Sequence, residues 1–287
     1  MDTTILRVVL IVFSGLIIIS LWGFYSSIRP PKIISSVTPR DLKMNYEDVS
    51  FRTADGLTLR AWYIPAAQRT EKTLILLHGY PADKGNILPA LSFLHEDFNL
   101  LLFDFRYLGK SEGSYSTAGA KEVEDLLAAI QFLKSRGVSE VGVWGFSMGG
   151  AVALMTIEKA PEIRAVISES SYASLAEMTF ELLRIPGLNY PIAYLVGVWA
   201  KLFLGIDVTE ASPADRIRNT KIPILLIHSS VDAVIPFSHA RSLQQALAKN
   251  PNAEFWFHEQ FAHGQLASDY KNRVRNFFLK HLSENVS

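Results

Sequence analysis

The stretch Val141–Leu154, VGVWGFSMGGAVAL, constrains this chain more than any other. A short apolar run, suited to a buried strand, ends in Gly145-x-Ser147-x-Gly149, and small residues suited to a helix follow. A strand that turns into a helix within so few residues brings two backbones close together. It leaves one side chain, that of Ser147, at the apex of the turn. The same pattern also describes a glycine-rich turn with a solvent-facing serine. The two readings differ in whether the rest of the chain supplies Ser147 with a base, an acid and oxyanion donors.

The chain has 287 residues, enough to bury a sizeable core in one large domain or two small ones. Lys plus Arg and Asp plus Glu are both 28, so no net charge points to a nucleic-acid partner, and no basic run interleaves with aromatics. With no cysteine, disulfides, thiolate metal sites and a cysteine nucleophile are excluded.

Residues 8–28 carry no charged side chain and are long enough to cross a hydrocarbon core of ~30 Å at ~1.5 Å per residue. A signal peptide would have a shorter apolar region and a small-x-small cleavage site, which does not follow here, so 1–28 reads as an uncleaved membrane anchor. Arg7 precedes the span, and Arg29, Lys32, Arg40 and Lys43 follow it. That asymmetry puts the globular part on the cytoplasmic side, but a short head with one Arg can equally stay inside, so the side of the membrane is open. Residues 29–45, with Pro30, Pro31 and Pro39, read as a linker to a domain at 46–287.

Within that domain, strands are expected near 47–53 and 57–64, joined at Asp55-Gly56, and then at 73–78, 98–105, 138–144, 163–168, 222–229 and 254–258. Helices are expected at 86–97, 119–136, 148–160, 237–248 and 268–282. Alternation of this kind predicts an α/β fold with a mostly parallel sheet and helices on both faces. Residues 171–215 break the pattern. Met178, Phe180, Leu182, Leu183, Ile185 and Leu188 precede the apolar run 191–206, too short and too interrupted by Lys201 for a second span. This segment reads as a helical lid, with ordinary core packing as its plain alternative.

Sites in such sheets form at the carboxyl ends of the strands. Ser147, Asp232 and His263 each fall just past a strand expected from the sequence, in the order nucleophile, acid, base. A serine hydroxyl needs a base to take its proton, and the base needs a group that fixes its tautomer and stabilises its cation. Of the seven histidines, His263 alone lies in a loop past a late strand and before a glycine, whereas His78 reads as a structural group holding the turn after its strand. Glu169, just past the strand at 163–168, is an alternative acid. Backbone N–H groups of Met148 and Tyr80 fit the oxyanion donors. No phosphate-binding or dinucleotide fingerprint and no paired metal-ligand spacing is present, so neither metal nor cofactor is expected.

With His78-Gly79, Asp104-x-Arg106-x-x-Gly109-x-Ser111, the elbow Gly145–Gly150, Asp232-x-x-x-Pro236 and His263-Gly264, the chain resembles the α/β-hydrolase superfamily from about residue 45 onward. With its apolar N-terminus and modest lid it is most similar there to the membrane-anchored Bem46-like serine hydrolases. Tyr107 stands where that group usually has glycine after the arginine, and Ser229 where the acid loop often begins with glycine. The resemblance implies cleavage of a carboxylic ester or thioester in a small-molecule or lipid acyl substrate. A peptidase on the same scaffold and a non-catalytic membrane-tethered protein are its alternatives.

Overall fold

A computed structural model describes residues 3–182, 188–265 and 267–282. The apolar N-terminus is one helix, α1 (Thr3–Ile28). Strands β1 (Glu47–Arg52) and β2 (Thr58–Ile64) form the hairpin expected at Asp55-Gly56, where Gly56 has φ 89°. Strand β3 (Thr73–Leu77) follows, buried along its whole length. The helix expected at 86–97 is divided into α2 (Lys84–Leu91) and a 3-10 turn at Ser92–Glu96. Helix α2 starts earlier than the apolar spacing implied because Asp83 caps it, accepting from the Asn86 N–H.

Next come β4 (Asn99–Phe103), α3 (Glu122–Ser135), β5 (Val141–Phe146), α4 (Met148–Thr156) and β6 (Ile163–Glu169). The irregular segment holds α5 (Leu175–Leu182), α6 (Asn189–Leu204) and the short α7 (Pro213–Arg216). Leu183 and Ile185, assigned to the lid from the sequence, lie outside the described residues. The chain then runs through β7 (Ile224–Ser229), α8 (Phe237–Ala246), β8 (Ala253–His258) and α9 (Tyr270–His281).

The eight strands form one sheet in the order β1-β2-β4-β3-β5-β6-β7-β8. Strand β2 is antiparallel to both neighbours, and β3 to β8 are parallel. Continuous apolar runs such as Leu74-Ile75-Leu76-Leu77 are the consequence of covering both faces, since successive side chains point to opposite sides. Ile75 and Leu77 join the layer under α3 and α4, and Leu74 and Leu76 join the layer under α2 and α9. With six strands parallel, their carboxyl ends share one edge, where the β5–α4, β7 and β8 connections meet.

Residues 29–45 are fastened to the domain. Ser35 donates to the Asp83 carboxylate through its N–H (2.8 Å) and hydroxyl (2.6 Å), and Met44 is buried. Tyr107 has φ 66°, so the position where the resemblance led to the expectation of glycine adopts the left-handed conformation that glycine favours. The strain of ~1–2 kcal/mol comes with a contact glycine could not make: the Tyr107 hydroxyl donates to the Pro30 carbonyl at 2.9 Å. The Lys32 ammonium lies 5.1 Å from the same ring.

Candidate active site

Ser147 sits between the last residue of β5 and the first of α4 with φ 53° and ψ −117°, a conformation that costs of order 1–3 kcal/mol outside glycine. Close approach of the surrounding backbones enforces it. A Cβ on Gly149 would lie 2.6 Å from the Leu77 carbonyl oxygen, and one on Gly145 would collide with the Gly149 backbone. The Ser147 N–H donates to the Glu169 carbonyl (2.8 Å), and its carbonyl accepts from the Ala151 N–H (3.2 Å). The backbone of the serine is thereby committed, and its side chain lines a cavity of about 290 Å³.

Asp232 lies in the loop after β7. Its Oδ1 accepts from the N–H groups of Val234 (2.8 Å) and Ile235 (2.9 Å), and its Oδ2 accepts from His263 Nδ1 at 2.7 Å. Burial opposes the charge on Asp232, but the hydrogen bonds from His263, Ile235 and Val234 outweigh it and hold the carboxyl below its ordinary range. An ionised carboxylate only accepts, so it fixes the proton on Nδ1 of neutral His263 and leaves Nε2 as the basic nitrogen. The His263 ring meets Phe146, the residue before Ser147, with ring centroids 4.7 Å apart. Gly264, at φ 78°, lies against the same ring: a Cβ there would be 3.2 Å from Phe146 Cζ. Among the described residues no hydrogen bond joins Ser147 to His263. Such bonds are commonly long without substrate and tighten around it.

Glu169, the alternative acid, is engaged elsewhere. Its buried carboxyl accepts from the Tyr270 hydroxyl at 2.6 Å, and that hydroxyl accepts from Trp144 Nε1 at 3.1 Å. Burial pushes the Glu169 carboxyl up to about 7. The chain Trp144–Tyr270–Glu169 was not visible in the sequence. It joins β5, α9 and the end of β6 directly beneath the elbow, and only the pairing of those elements brings it together.

The loop after β3 abuts the elbow as well. A Cβ on Gly79 would lie 3.2 Å from that of Ser147. His78 holds this loop: buried and kept neutral by desolvation, it donates from Nδ1 to the Gly79 carbonyl (2.7 Å) and accepts at Nε2 from the Phe105 N–H (3.1 Å). This is the structural role expected for it. Tyr80 follows, and its hydroxyl donates to the Ser27 carbonyl of α1 at 2.7 Å. Met148 opens α4, so its N–H is one of the helix-terminal donors with no intrahelical acceptor.

The other walls of the cavity are apolar. Tyr172 follows β6, Met178 comes from α5, Val196 and Ala200 from α6, and Gly23 and Phe24 from α1. The contribution from α1 was missed, because nothing in a uniformly apolar helix marks the face that meets the domain.

The description "alpha/beta hydrolase fold" matches residues 72–191. The protein YfhR of Escherichia coli is 34% identical over 216 residues, 71% of this chain and 69% of that protein. Protein bem46 of Schizosaccharomyces pombe is 28% identical over 208 residues, 69% of this chain and 64% of that protein. Among solved structures, the esterase Pf2001 of Pyrococcus furiosus superposes with a TM-score of 0.75 at 28% identity, covering 89% of this chain and 100% of that one. The strand order, the elbow and these likenesses agree, and the chain belongs to the α/β-hydrolase family, related to the Bem46-like proteins.

Proposed function

We propose that this chain is a membrane-anchored serine hydrolase that cleaves carboxylic esters or thioesters through an acyl-enzyme. The observation that carries the reading is the 2.7 Å bond from His263 Nδ1 to Asp232, made beside an elbow whose serine has a positive φ. In the proposed reaction Ser147 Oγ attacks the acyl carbon while His263 Nε2 takes the hydroxyl proton. Asp232 stabilises the resulting imidazolium, and the N–H groups of Met148 and Tyr80 stabilise the oxyanion, each donor contributing roughly 3–4 kcal/mol. Collapse of the tetrahedral intermediate expels the alcohol or thiol, which leaves with the proton from His263. Water, deprotonated by His263, then releases the acid and restores Ser147.

The apolar walls of the cavity favour an acyl chain over a polar substrate. Helix α1, long and apolar enough to span a bilayer, serves in this reading as the anchor, and 171–215 as the lid over a domain at 46–287. The likeness to the Pyrococcus esterase supports ester chemistry. The test is steady-state hydrolysis of p-nitrophenyl acyl esters and aminoacyl anilides by the full-length protein. Wild type should hydrolyse the esters in preference to the anilides, and Ser147→Ala should lose at least about 10⁴-fold in kcat. Ester turnover that survives in Ser147→Ala would overturn the reading.

A further inference from the structure

Two helices that the fold alone does not require cover the serine. Helix α1 lies along α6 through the stripe Leu16, Ser20, Phe24 and Ile28, spaced by one turn each. The Trp199 indole donates to Ser20 Oγ at 3.0 Å, and the Phe24 and Phe203 rings stack at 6.1 Å. The same helices line the cavity above Ser147: Gly23, Phe24 and Ser27 from α1, Val196, Ala200 and Leu204 from α6.

Their outer sides are also apolar. On α6, Tyr190, Tyr194, Val198 and Leu202 form an exposed stripe at successive turns, with Leu202 67% exposed. On α1, Ile18, Ile19, Trp22 and Tyr25 are exposed. A contiguous apolar surface of this kind marks a membrane or partner site, and Trp and Tyr favour the bilayer interface. It is continuous with the helix that passes for a membrane span, so the bilayer is the occupant that fits. One layer of helix therefore separates the lipid-facing surface from the cavity containing the nucleophile.

We infer that α1 is a wall of the acyl-binding site as well as a tether, and that the site, roofed by α1 and α6, receives the acyl chain of a lipid from the bilayer in which α1 is embedded. This rests on the serine-hydrolase reading and deepens it by naming the substrate class and a specificity-determining helix.

Gly23 gives a clean test, because a Cβ added there meets nothing within 4 Å beyond its chain neighbours and the backbone of its own helix. The side chain of Gly23→Leu would extend from there into the cavity that Gly23 lines. Gly15 has the same freedom on the same helix but does not line the cavity. In full-length protein in detergent, kcat/KM is measured over p-nitrophenyl esters from butyrate to myristate. Gly23→Leu should lower the laurate-to-butyrate ratio at least tenfold. Gly15→Leu should leave that ratio at the wild-type value, and Val196→Ala, which enlarges the facing wall, should raise it. The enlarging variant keeps the idea testable should Gly23→Leu fold poorly. Ratios unmoved in both cavity variants, with Ser147 still labelled by a fluorophosphonate, would overturn the inference alone. An unlabelled Ser147 in folded wild type would overturn the hydrolase reading beneath it. For the bilayer source, 4-methylumbelliferyl palmitate is placed either in the phosphatidylcholine vesicles that hold the protein or in separate vesicles. Faster hydrolysis in the shared bilayer is expected. Equal rates, or hydrolysis in neither, would contradict it.

Discussion

Ser147 is held in a conformation that its own side chain disfavours, and every group that holds it there is backbone: the Glu169 carbonyl, the Ala151 N–H and the crossing at Gly149. At the same scale, two carboxyls past neighbouring strand ends differ by what they accept. Asp232 accepts from His263 and two backbone N–H groups, and Glu169 accepts from Tyr270. The sequence favoured Asp232 and kept Glu169 as the alternative, but what each accepts from was not legible there, because His263 lies 31 residues from Asp232 and Tyr270 lies 101 residues from Glu169 along the chain. Asp232→Asn should reduce kcat/KM by about 10³–10⁴-fold through the wrong His263 tautomer, and Glu169→Gln should retain most activity. The reverse pattern would make Glu169 the acid. Glu169 also carries a pH signature. Its carboxyl is raised to about 7 in the fold and titrates near ~4.3 when unfolded. The folded state thus holds this proton more tightly. The stabilisation it brings is complete below ~4.3 and is lost as pH rises through about 7, a total on the order of 4 kcal/mol. Thermal melts from pH 5 to 8 should show wild type losing stability relative to Glu169→Gln across that window. A constant difference would contradict the assignment.

Elements were legible where period and punctuation agreed. The buried strands β3, β4 and β7 read as apolar runs, and α3 showed its core face through Val123, Leu126, Ile130 and Leu133. Strand β5 was expected from Val138 but starts at Val141, where it first pairs with Thr73 and Ile163. Val138 packs against the core from outside the sheet, with Ser139 and Glu140 between it and the first paired residue, which is why the expected edge was early. The β5–α4 junction is the element on which the site depends. The Cβ of Gly149→Ala would press on the Leu77 and His78 carbonyl oxygens, at 2.6 Å and 2.7 Å. Neither backbone can yield without moving the elbow or the loop that carries Tyr80. We expect a stability loss of roughly 1–3 kcal/mol with a larger proportional loss of kcat, read by denaturant unfolding and ester turnover together. A variant with wild-type activity would mean that the close packing is not required.

For the whole molecule, the sequence conveyed the sheet and the site edge better than it conveyed the roof. Parallel strands put their carboxyl ends on one side, so residues far apart in the chain could be assigned to one site before any coordinates. Helix α1 offered no such handle. It is apolar all round, so the stripe that meets α6 looks like the faces that do not, and the contact from Ser20 to Trp199 spans 179 residues. Residues 29–45, which read as a linker, instead run along the domain and fasten α1 to it through Ser35, Pro30 and Met44. Tyr107, where the resemblance led to the expectation of glycine, belongs to this arrangement through its hydroxyl bond to the Pro30 carbonyl.

The central claim is that Ser147 becomes covalently acylated with the help of His263 and Asp232. Its most direct test is intact-mass and peptide mapping of the full-length protein after exposure to an alkyl fluorophosphonate. The account predicts one adduct, located on Ser147, absent from Ser147→Ala and formed at least about 10³-fold more slowly by His263→Ala. A folded wild-type protein that acquires no adduct, or carries it on another residue, would contradict the account.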